Sequence, residues 1–284
     1  MQEYIKQFKI YLQEKDSSPE TIKAYISDIK KFIKWYQEAE GSLPDIRAVG
    51  SLDIAEFKRH LLDKNQKPAT INRAIASLSA FFSWLNVPNP TEEIKFLPEV
   101  KTAPKALERK EVLSLIRSVM SSGKPRDAAI VALLLHTGVR VSELCALTVD
   151  DVVLKDRTGH IVVRSGKGSK RREVPLNSTA RSALKRWLDV RGGSPGFLFT
   201  GKGSGSLTPR AVEQLLKKYS SRAGLEQITP HTLRHTFCKS LIDAGEPLDR
   251  VATLAGHENL NTTAKYTRAT GRDLQKAVER LAWE

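Results

Sequence analysis

The chain has 284 residues, with 40% hydrophobic and 27% charged residues and a formal net charge of +14. This composition is ordinary for a soluble globular protein, and the length allows two domains. No apolar stretch approaches the length of a membrane span and the N-terminus lacks a signal-peptide segment, so we expect a cytoplasmic protein without a membrane partner.

The positive charge is concentrated in the C-terminal part of the chain. Residues 1–105 carry a net charge of +2, whereas the remaining 179 residues carry +12. A basic domain indicates a polyanionic partner, most simply nucleic acid. A basic surface that only keeps the protein in solution is the alternative that charge alone leaves open.

Cysteine usage indicates a reducing compartment. Cys145 and Cys238 are the only cysteines, and each lies within an apolar helical pattern. Two isolated thiols give neither a disulfide framework nor the spacing of a zinc site. We therefore expect both to be small buried hydrophobic residues.

Residues 1–88 are predicted to form a small all-α domain of four helices. Apolar residues recur at helical spacing in each segment. Ser18 and Pro19 have the pattern of an N-cap followed by proline at the first helical position. The four segments begin near Ile5, at Pro19, near Leu52 and after Pro68.

Residues 89–106 are predicted to be an interdomain linker. Prolines at positions 88, 90, 98 and 104 break the helical periodicity of this stretch. A proline-rich segment of this length suits a connection between domains that could cross a bound duplex. A long surface loop within one domain is the alternative.

Residues 107–284 are predicted to form a second domain that is mainly helical, with a small antiparallel sheet or hairpin inserted. A buried helix from Arg126 stops before Gly138. Two strands, His160–Arg164 and Arg172–Leu176, flank the turn SGKGSKR. Further helices are expected at Ser142–Leu147, Ser178–Val190, Pro209–Arg222, Thr232–Ala244, Leu248–Ala255, Thr262–Tyr266 and Asp273–Leu281.

Six residues of this second domain carry the groups that metal-free phosphoryl transfer on a phosphodiester needs. Guanidiniums neutralise the developing charge, histidine and lysine move protons, and a phenol supplies a nucleophile. The set contains no acidic metal ligands, through which nucleases usually recruit Mg²⁺. The six are Arg140, Lys167, His231, Arg234, His257 and Tyr266.

Taken singly, these residues also have ordinary structural interpretations. Arg140 could be a surface cap, with Glu143 one turn later as a carboxylate partner. Lys167 could belong to a solvated basic turn, in which Lys170 is the competing candidate. Tyr266 alone suits a partly exposed packing residue.

The two histidine positions admit further alternatives. His231 and His235 have the i, i+4 spacing of zinc ligands. A metal site is disfavoured because Arg234 adds positive charge and no acid supplies another ligand. His257 follows Gly256 at an expected helix end, where a hydrogen-bond donor could hold a phosphate oxygen.

Together, five sequence blocks resemble the tyrosine recombinases, a family that includes phage integrases and Xer proteins. The blocks are HTGVRVSEL, GKGSKRREVPL, HTLRHTF, LAGH and the terminal Tyr266, in the family's order and with its approximate spacings. The resemblance is strong over residues 107–284 and weaker in the N-terminal third. It implies a core-binding domain on DNA at 1–88 and a catalytic domain at 107–284.

The resemblance also implies a mechanism. Tyr266 would attack a DNA phosphodiester and leave a 3′-phosphotyrosyl link and a free 5′-hydroxyl, with Lys167 as general acid and His231 as general base. The 5′-hydroxyl of a partner strand would reverse the step, and no metal or other cofactor is expected because the bond energy is kept in the phosphotyrosine. The pentacovalent phosphate would be stabilised by Arg140, Arg234 and His257.

The expected assembly is a homotetramer on two double-stranded core sites, with a Holliday-junction intermediate. The C-terminal segment GRDLQKAVERLAWE is amphipathic and is expected to dock on a neighbouring protomer. No extra arm-binding domain is evident, which favours resolution of dimers or transposon co-integrates by a compact resolvase over integration of a mobile element. A type IB topoisomerase-like enzyme and a non-catalytic DNA-binding protein are the alternatives outside this class.

Overall fold

The protein consists of two compact units, Met1–Lys101 and Thr102–Glu284. Both are mainly helical, and the second holds a three-stranded antiparallel sheet. This architecture confirms the predicted fold class. The computed structural model describes residues 1–98, 105–164, 171–201, 205–257 and 263–264. Within these ranges, no helix is long and apolar enough to cross a bilayer.

The first unit contains the four predicted helices. They are α1 (Gln2–Glu14), α2 (Pro19–Glu40), α3 (Ser51–Asp63) and α4 (Pro68–Trp84). The start of α2 follows the sequence signal, because the hydroxyl of Ser18 accepts the backbone N–H of Thr21 at 3.1 Å. The core is rich in aromatic rings, and the rings of Phe32 and Phe57 meet edge to face with centroids 5.2 Å apart.

A buried carboxylate joins α2 to α4. Asp28 accepts Nε of Arg73 at 2.8 Å and Nη2 of Arg73 at 3.0 Å, and the hydroxyl of Ser77 lies 3.3 Å away. The hydrogen bond to Asp28 is the main cause of a raised pKa for Arg73. A charge is retained in a protein interior only when it is paired and hydrogen-bonded, so this fork fixes one alignment of the two helices.

The chain that follows α4 is held on the first unit as far as residue 97. The side chain of Asn72 donates to the carbonyl of Leu97 at 2.9 Å and accepts its N–H at 2.8 Å. The ammonium of Lys58 donates to the carbonyl of Lys95 at 2.6 Å. The described half of the predicted linker is therefore ordered against α3 and α4, because its backbone groups find partners there.

Seven helices of the second unit are described. They are α5 (Arg109–Met120), α6 (Pro125–Thr137), α7 (Val141–Ala146), α8 (Ser178–Arg191), α9 (Pro209–Arg222), α10 (Pro230–Asp243) and α11 (Leu248–Ala255). The sequence predicted all of them except α5, although its apolar residues Val112, Leu115, Ile116 and Val119 recur at helical spacing. Two more helices were predicted near the C-terminus, at Thr262–Tyr266 and Asp273–Leu281. Of these residues, the structure describes only 263 and 264.

The sheet has the order β1-β2-β3, with β1 at Val152–Leu154, β2 at Gly159–Val163 and β3 at Arg172–Pro175. Ile161 of β2 is aligned with Val152 on one side and Val174 on the other. Strands β2 and β3 match the two predicted strands. Strand β1 was not predicted, because three residues are too few to show an alternating pattern.

The core of the second unit surrounds α6, which is apolar on nearly all sides. This helix ends at Gly138, whose φ of +62° lies in the left-handed region. A Cβ atom at Gly138 would lie 2.3 Å from Cδ1 of Phe237 in α10. Glycine therefore allows α10 to approach the end of α6, and this approach brings α10 to the site described below.

Candidate active site

Arg140 lies at the N-terminus of α7, directly after the turn that ends α6. Its backbone N–H and Nη1 donate to Glu143, to Oε2 at 2.7 Å and to Oε1 at 3.0 Å. Its Nη2 donates to the carbonyl of Gly256 at 2.9 Å. The side chain is 46% exposed, so the guanidinium is both held in place and accessible from solvent.

Glu143 binds a second arginine, Arg172, which sequence reasoning had not included in the site. Nη1 and Nη2 of Arg172 donate to the two carboxylate oxygens at 2.9 and 2.8 Å. Burial alone would raise the pKa of Glu143, but the hydrogen bonds from Arg172 and from the backbone of Arg140 outweigh it and lower that pKa. Glu143 is therefore a buried carboxylate shared by two arginines.

The sequence of β3 did indicate that Arg172 is partly buried, because side chains alternate between the two faces of a strand. Arg172 and Val174 lie two residues apart and so share a face of the strand, and Val174 is buried. A charged residue on a buried face needs a partner of opposite charge. The partner, Glu143, is 29 residues away in sequence, so the pattern indicated that a partner exists without indicating which residue it is.

The C-terminal end of α11 contributes two carbonyl groups and an imidazole to the same place. Nη2 of Arg172 donates to the carbonyl of Ala255 at 3.3 Å, next to the carbonyl of Gly256 that Arg140 binds. Gly256 has a φ of +69° and turns the chain toward His257. Nδ1 of His257 lies 2.8 Å from the hydroxyl of Thr263.

Three of the other predicted residues, and also Arg172, lie close enough to His257 to change its pKa. The pKa of His257 is lowered to about 4, first by burial and then by the positive charges of Arg234, Arg140, Arg172 and the nearby His231. The neutral imidazole is therefore the form present at neutral pH. Three guanidiniums near His257, with one carboxylate among them, leave an excess of positive charge that suits an anion such as a phosphate.

Helix α10 supplies His231 and Arg234 from its first turns, as the sequence predicted. Arg234 is buried, and its Nη1 donates to the carbonyl of Gly138. His231 is exposed and packs edge to face on His235, with ring centroids 4.1 Å apart. In the described ranges, no group of three or more histidine, cysteine or acidic side chains is placed to hold a metal ion.

The other two predicted residues, Lys167 and Tyr266, lie outside the described residues, and so does the competing Lys170. The described chain reaches Arg164 and resumes at Arg171, on the two sides of the segment that contains Lys167. It also includes Thr263 and Ala264, shortly before Tyr266. The positions of these two side chains relative to the cluster remain predictions.

The lowered pKa of His257 predicts that acid destabilises the protein. The folded value of about 4 lies below the ordinary value of 6.5. Above 6.5 both states hold a neutral imidazole; as the pH falls further, the unfolded state takes up its proton first and stability is lost down to a pH near 4. Urea unfolding at about pH 7 and about pH 5 should show a smaller unfolding free energy at the lower pH.

The matched variant for this prediction is His257→Gln, which removes the titrating group and keeps a polar side chain. Its unfolding free energy should fall less steeply with decreasing pH than that of the wild type. Some slope should remain, because burial also lowers the pKa of His136. Equal slopes in the two proteins would mean that His257 is not the group responsible.

Two family models match the chain, and together they cover most of it. The one described as "Phage integrase family" matches residues 105–272. The one described as "Phage integrase, N-terminal SAM-like domain" matches residues 5–87. The first match takes in all six residues of the predicted site, and the second takes in α1 to α4.

Relatives with assigned names agree with these matches. The chain is 36% identical to "Tyrosine recombinase XerA" of Thermococcus kodakarensis, over 98% of this chain and 95% of the relative. It is 33% identical to "TnP I resolvase" of Bacillus thuringiensis, over 97% and 99% of the two chains. It is 40% identical to XerA of Pyrococcus furiosus, where the alignment spans 63% of each chain and so less than two thirds of that relative.

The architecture and the site define an enzyme that exchanges DNA strands. It has a helical N-terminal unit, a helical unit with an inserted sheet, and a cationic cluster in that second unit. The chain belongs to the phage integrase family and is a tyrosine-type site-specific recombinase of the Xer and resolvase kind. The recognised resemblance and the predicted enzyme class are thereby confirmed.

Solved structures share the fold, and several contain DNA. XerH site-specific recombinase bound to its difH substrate has a TM-score of 0.73 at 24% identity, covering 92% of this chain and 79% of that one. The Tn1549 transposon integrase in complex with transposon right end DNA also has a TM-score of 0.73, at 22% identity, covering 99% of both chains. Both of these solved structures therefore combine this fold with bound DNA.

Proposed function

We propose that this protein cuts and rejoins double-stranded DNA at specific core sites through a 3′-phosphotyrosyl intermediate. One observation carries the proposal: three separate segments meet at His257, because Arg140 binds the carbonyl of Gly256 next to it and the charges of Arg234 and His231 in α10 act on its ring. A phosphate held there would meet guanidiniums and a neutral imidazole. Such donors stabilise the charge that develops on phosphorus in the transition state.

In the proposed first step, the phenol oxygen of Tyr266 forms a bond to phosphorus and the bond to the 5′-oxygen breaks. The phenolic proton passes to His231, and the departing 5′-oxygen takes a proton from Lys167. Arg140, Arg234 and His257 hold the oxygens that remain on phosphorus. The reverse attack by the 5′-hydroxyl of another strand joins the exchanged ends, so that one phosphodiester replaces another and no cofactor is part of the scheme.

The neutral state of His257 fits this role. Its lowered pKa keeps a proton on only one ring nitrogen, and Nδ1 faces the hydroxyl of Thr263. The tautomer protonated at Nε2 would accept the threonine hydroxyl at Nδ1 and donate to a phosphate oxygen. A bound phosphate would in turn favour protonation of the ring, because an anion stabilises its charged form.

The assignment of domains belongs to the same proposal. Residues 1–88 would bind the core site as the core-binding domain and residues 107–284 would carry the chemistry, joined by 89–106. Four protomers on two sites would pass through a Holliday junction, with the C-terminal segment GRDLQKAVERLAWE docked on a neighbouring protomer. The two isolated, buried thiols Cys145 and Cys238 suit a reducing, cytoplasmic compartment.

Resolution of dimers or transposon co-integrates is the task we favour. The similarity to "TnP I resolvase" of Bacillus thuringiensis extends over nearly the whole chain and supports this choice over integration of a mobile element. Resolution joins two sites on one DNA molecule and integration joins sites on two. The products that form from a plasmid with two core sites therefore show which of the two tasks the protein performs.

The proposal is tested by trapping the covalent intermediate. The purified protein is incubated in a metal chelator with nicked duplexes from its source genome, in which cleavage beside the nick releases a short 5′-hydroxyl fragment that diffuses away. Denatured adducts are sequenced to find the core site and digested to map the modified peptide. We expect a phosphotyrosine at Tyr266 and loss of the adduct in Tyr266→Phe.

The matched control is Tyr4→Phe, which removes an exposed phenolic hydroxyl from α1 and should leave the adduct intact. An adduct on another residue, or none on bound DNA, would contradict the proposal. Strand exchange between two duplexes of different length separates a recombinase from a type IB topoisomerase-like enzyme, which relaxes supercoils without making recombinant products.

A further inference from the structure

The structure places one arginine of unassigned role at the centre of the site. Arg172 is only 16% exposed, so its guanidinium is poorly placed to reach DNA from solvent. It binds both oxygens of Glu143 and also the carbonyl of Ala255. These bonds connect the first residues of β3 to α7 and to the end of α11.

The same groups hold Arg140 and set the position of His257. Arg140 bonds to Glu143 and to the carbonyl of Gly256, which adjoins the carbonyl that Arg172 binds. His257 is the next residue in the chain. Arg172 therefore shares Glu143 with Arg140, and it binds the carbonyl next to the one that Arg140 binds, in the turn that leads to His257.

Steric contact adds to the hydrogen bonds. A Cβ atom at Gly256 would lie 2.6 Å from Cζ and Nη1 of Arg172, closer than real Cβ atoms approach other atoms. The guanidinium thus fills the space that a side chain at Gly256 would need. The end of α11 is packed directly against Arg172, so displacement of that arginine changes the shape of the turn before His257.

Arg172 also leaves a polar group unsatisfied. Its Nε is buried and has no hydrogen-bond partner among the residues that the structure describes. A buried donor without a partner opposes folding, and natural proteins keep few of them. Replacement of both Arg172 and Glu143 by apolar residues would remove this cost and is often neutral or stabilising for a buried ion pair. The presence of the pair therefore indicates a role other than stability.

We propose that Arg172 is a positioning residue that holds Arg140 and His257 in the geometry needed to bind one phosphate. Glu143 is the link. With both of its oxygens bonded to Arg172, it accepts one side-chain bond from Arg140, whose guanidinium stays half exposed and directed to the site. Without Arg172, the buried carboxylate would have Arg140 as its remaining side-chain partner, and Arg140 would turn onto it and away from DNA.

This inference rests on the proposed function and is tested on the core site that the trapping experiment identifies. The substitutions are Arg172→Met, which keeps much of the bulk, and Arg172→Lys, which keeps the charge without the planar fork. Single-turnover cleavage of the nicked duplex by Arg172→Met should be slower by about a hundredfold, as expected when catalytic groups are misplaced by about 1 Å. The affinity for the same duplex should change by about twofold or less, because Arg172 is shielded from solvent.

The matched control is Arg126→Met. Arg126 is also paired with a buried carboxylate of the second unit, that of Asp127, but it lies at the opposite end of α6. Loss of this pair should reduce stability with little effect on cleavage. If Arg126→Met slowed cleavage as much as Arg172→Met, the effect of Arg172 would be general loss of structure and the inference would be overturned.

A second readout separates positioning from general damage. A methylphosphonate at the scissile position carries no charge on its non-bridging atoms and needs less neutralisation by Arg140. Arg172→Met should therefore recover much of its lost rate on this substrate. An equal loss of rate on the phosphate and methylphosphonate substrates, or no loss on either, would contradict the inference.

A third readout does not depend on activity, so that failure of the proposed function and failure of this inference remain distinguishable. The ring protons of His257 are followed by NMR in the free protein. Arg172→Lys keeps the positive charge but loses the contact with the turn at Gly256, and it should shift these resonances while Arg126→Met leaves them in place. Unchanged His257 resonances in Arg172→Lys would overturn the inference, whether or not the wild type forms an adduct.

Discussion

Replacement of Arg234 by lysine should slow single-turnover DNA cleavage by about a hundredfold to a thousandfold, which is the usual cost of losing one preorganised donor. Arg234 is buried near His257, with one nitrogen fixed on the carbonyl of Gly138. Lysine keeps the charge but not the fork that binds two oxygens at once. Burst kinetics on the nicked core duplex measure this rate directly.

Arg181→Lys is the matched control for this prediction. Arg181 also donates from Nη1 to a backbone carbonyl of the second unit, that of Leu176 at 2.8 Å, but it has no contact with Arg140, Arg234 or His257 among the contacts described. It should cleave at close to the wild-type rate. A wild-type rate in Arg234→Lys, with its fold intact by circular dichroism, would remove Arg234 from the mechanism.

Replacement of Arg73 by methionine should lower the free energy of unfolding by about 3–5 kcal/mol, the usual cost of leaving a buried charge without its partner. The Asp28 carboxylate is almost fully buried, and Arg73 provides two of its hydrogen bonds. Methionine fills a similar volume, so the loss reports the unpaired charge more than a cavity. Urea unfolding followed by circular dichroism measures the change.

Two further substitutions test the asymmetry of this pair. Asp28→Asn should cost less than Arg73→Met, because Arg73 is 44% exposed and can be hydrated when it loses its partner. Lys31→Met removes an exposed ammonium 3.5 Å from the same carboxylate and should cost less than about 1 kcal/mol. Equal losses for all three variants would show that burial of Asp28 does not determine the cost.

Sequence reasoning succeeded where the signal is local. The helices show apolar spacing, and the caps at Ser18 and Gly138 depend on residues next to them in the chain. The bond between Arg140 and Glu143 was expected for the same reason, since the two residues are one helical turn apart. The motif order then indicated the family, and with it the helical fold and the chemistry.

The contacts that tertiary packing creates could not be predicted in this way. Arg172 reaches Ala255 across 83 residues, and no periodicity of either segment indicates that the two meet. Strand β1 was missed because it is short, whereas α5 was missed although its apolar residues have helical spacing. The linker prediction followed from its prolines, whereas the bonds from Asn72 and Lys58 that hold residues 95 and 97 become visible only in the folded unit.

The close approach of Gly138 and Phe237 limits how this sequence can diverge. A side chain at position 138 meets both an unfavourable backbone angle and an aromatic ring 2.3 Å from its first carbon atom. A smaller residue at position 237 relieves the second difficulty but not the first. The order of mutations therefore matters: Phe237 has to shrink before Gly138 can change, and an intermediate with the reverse order would separate α6 from the helix that bears Arg234.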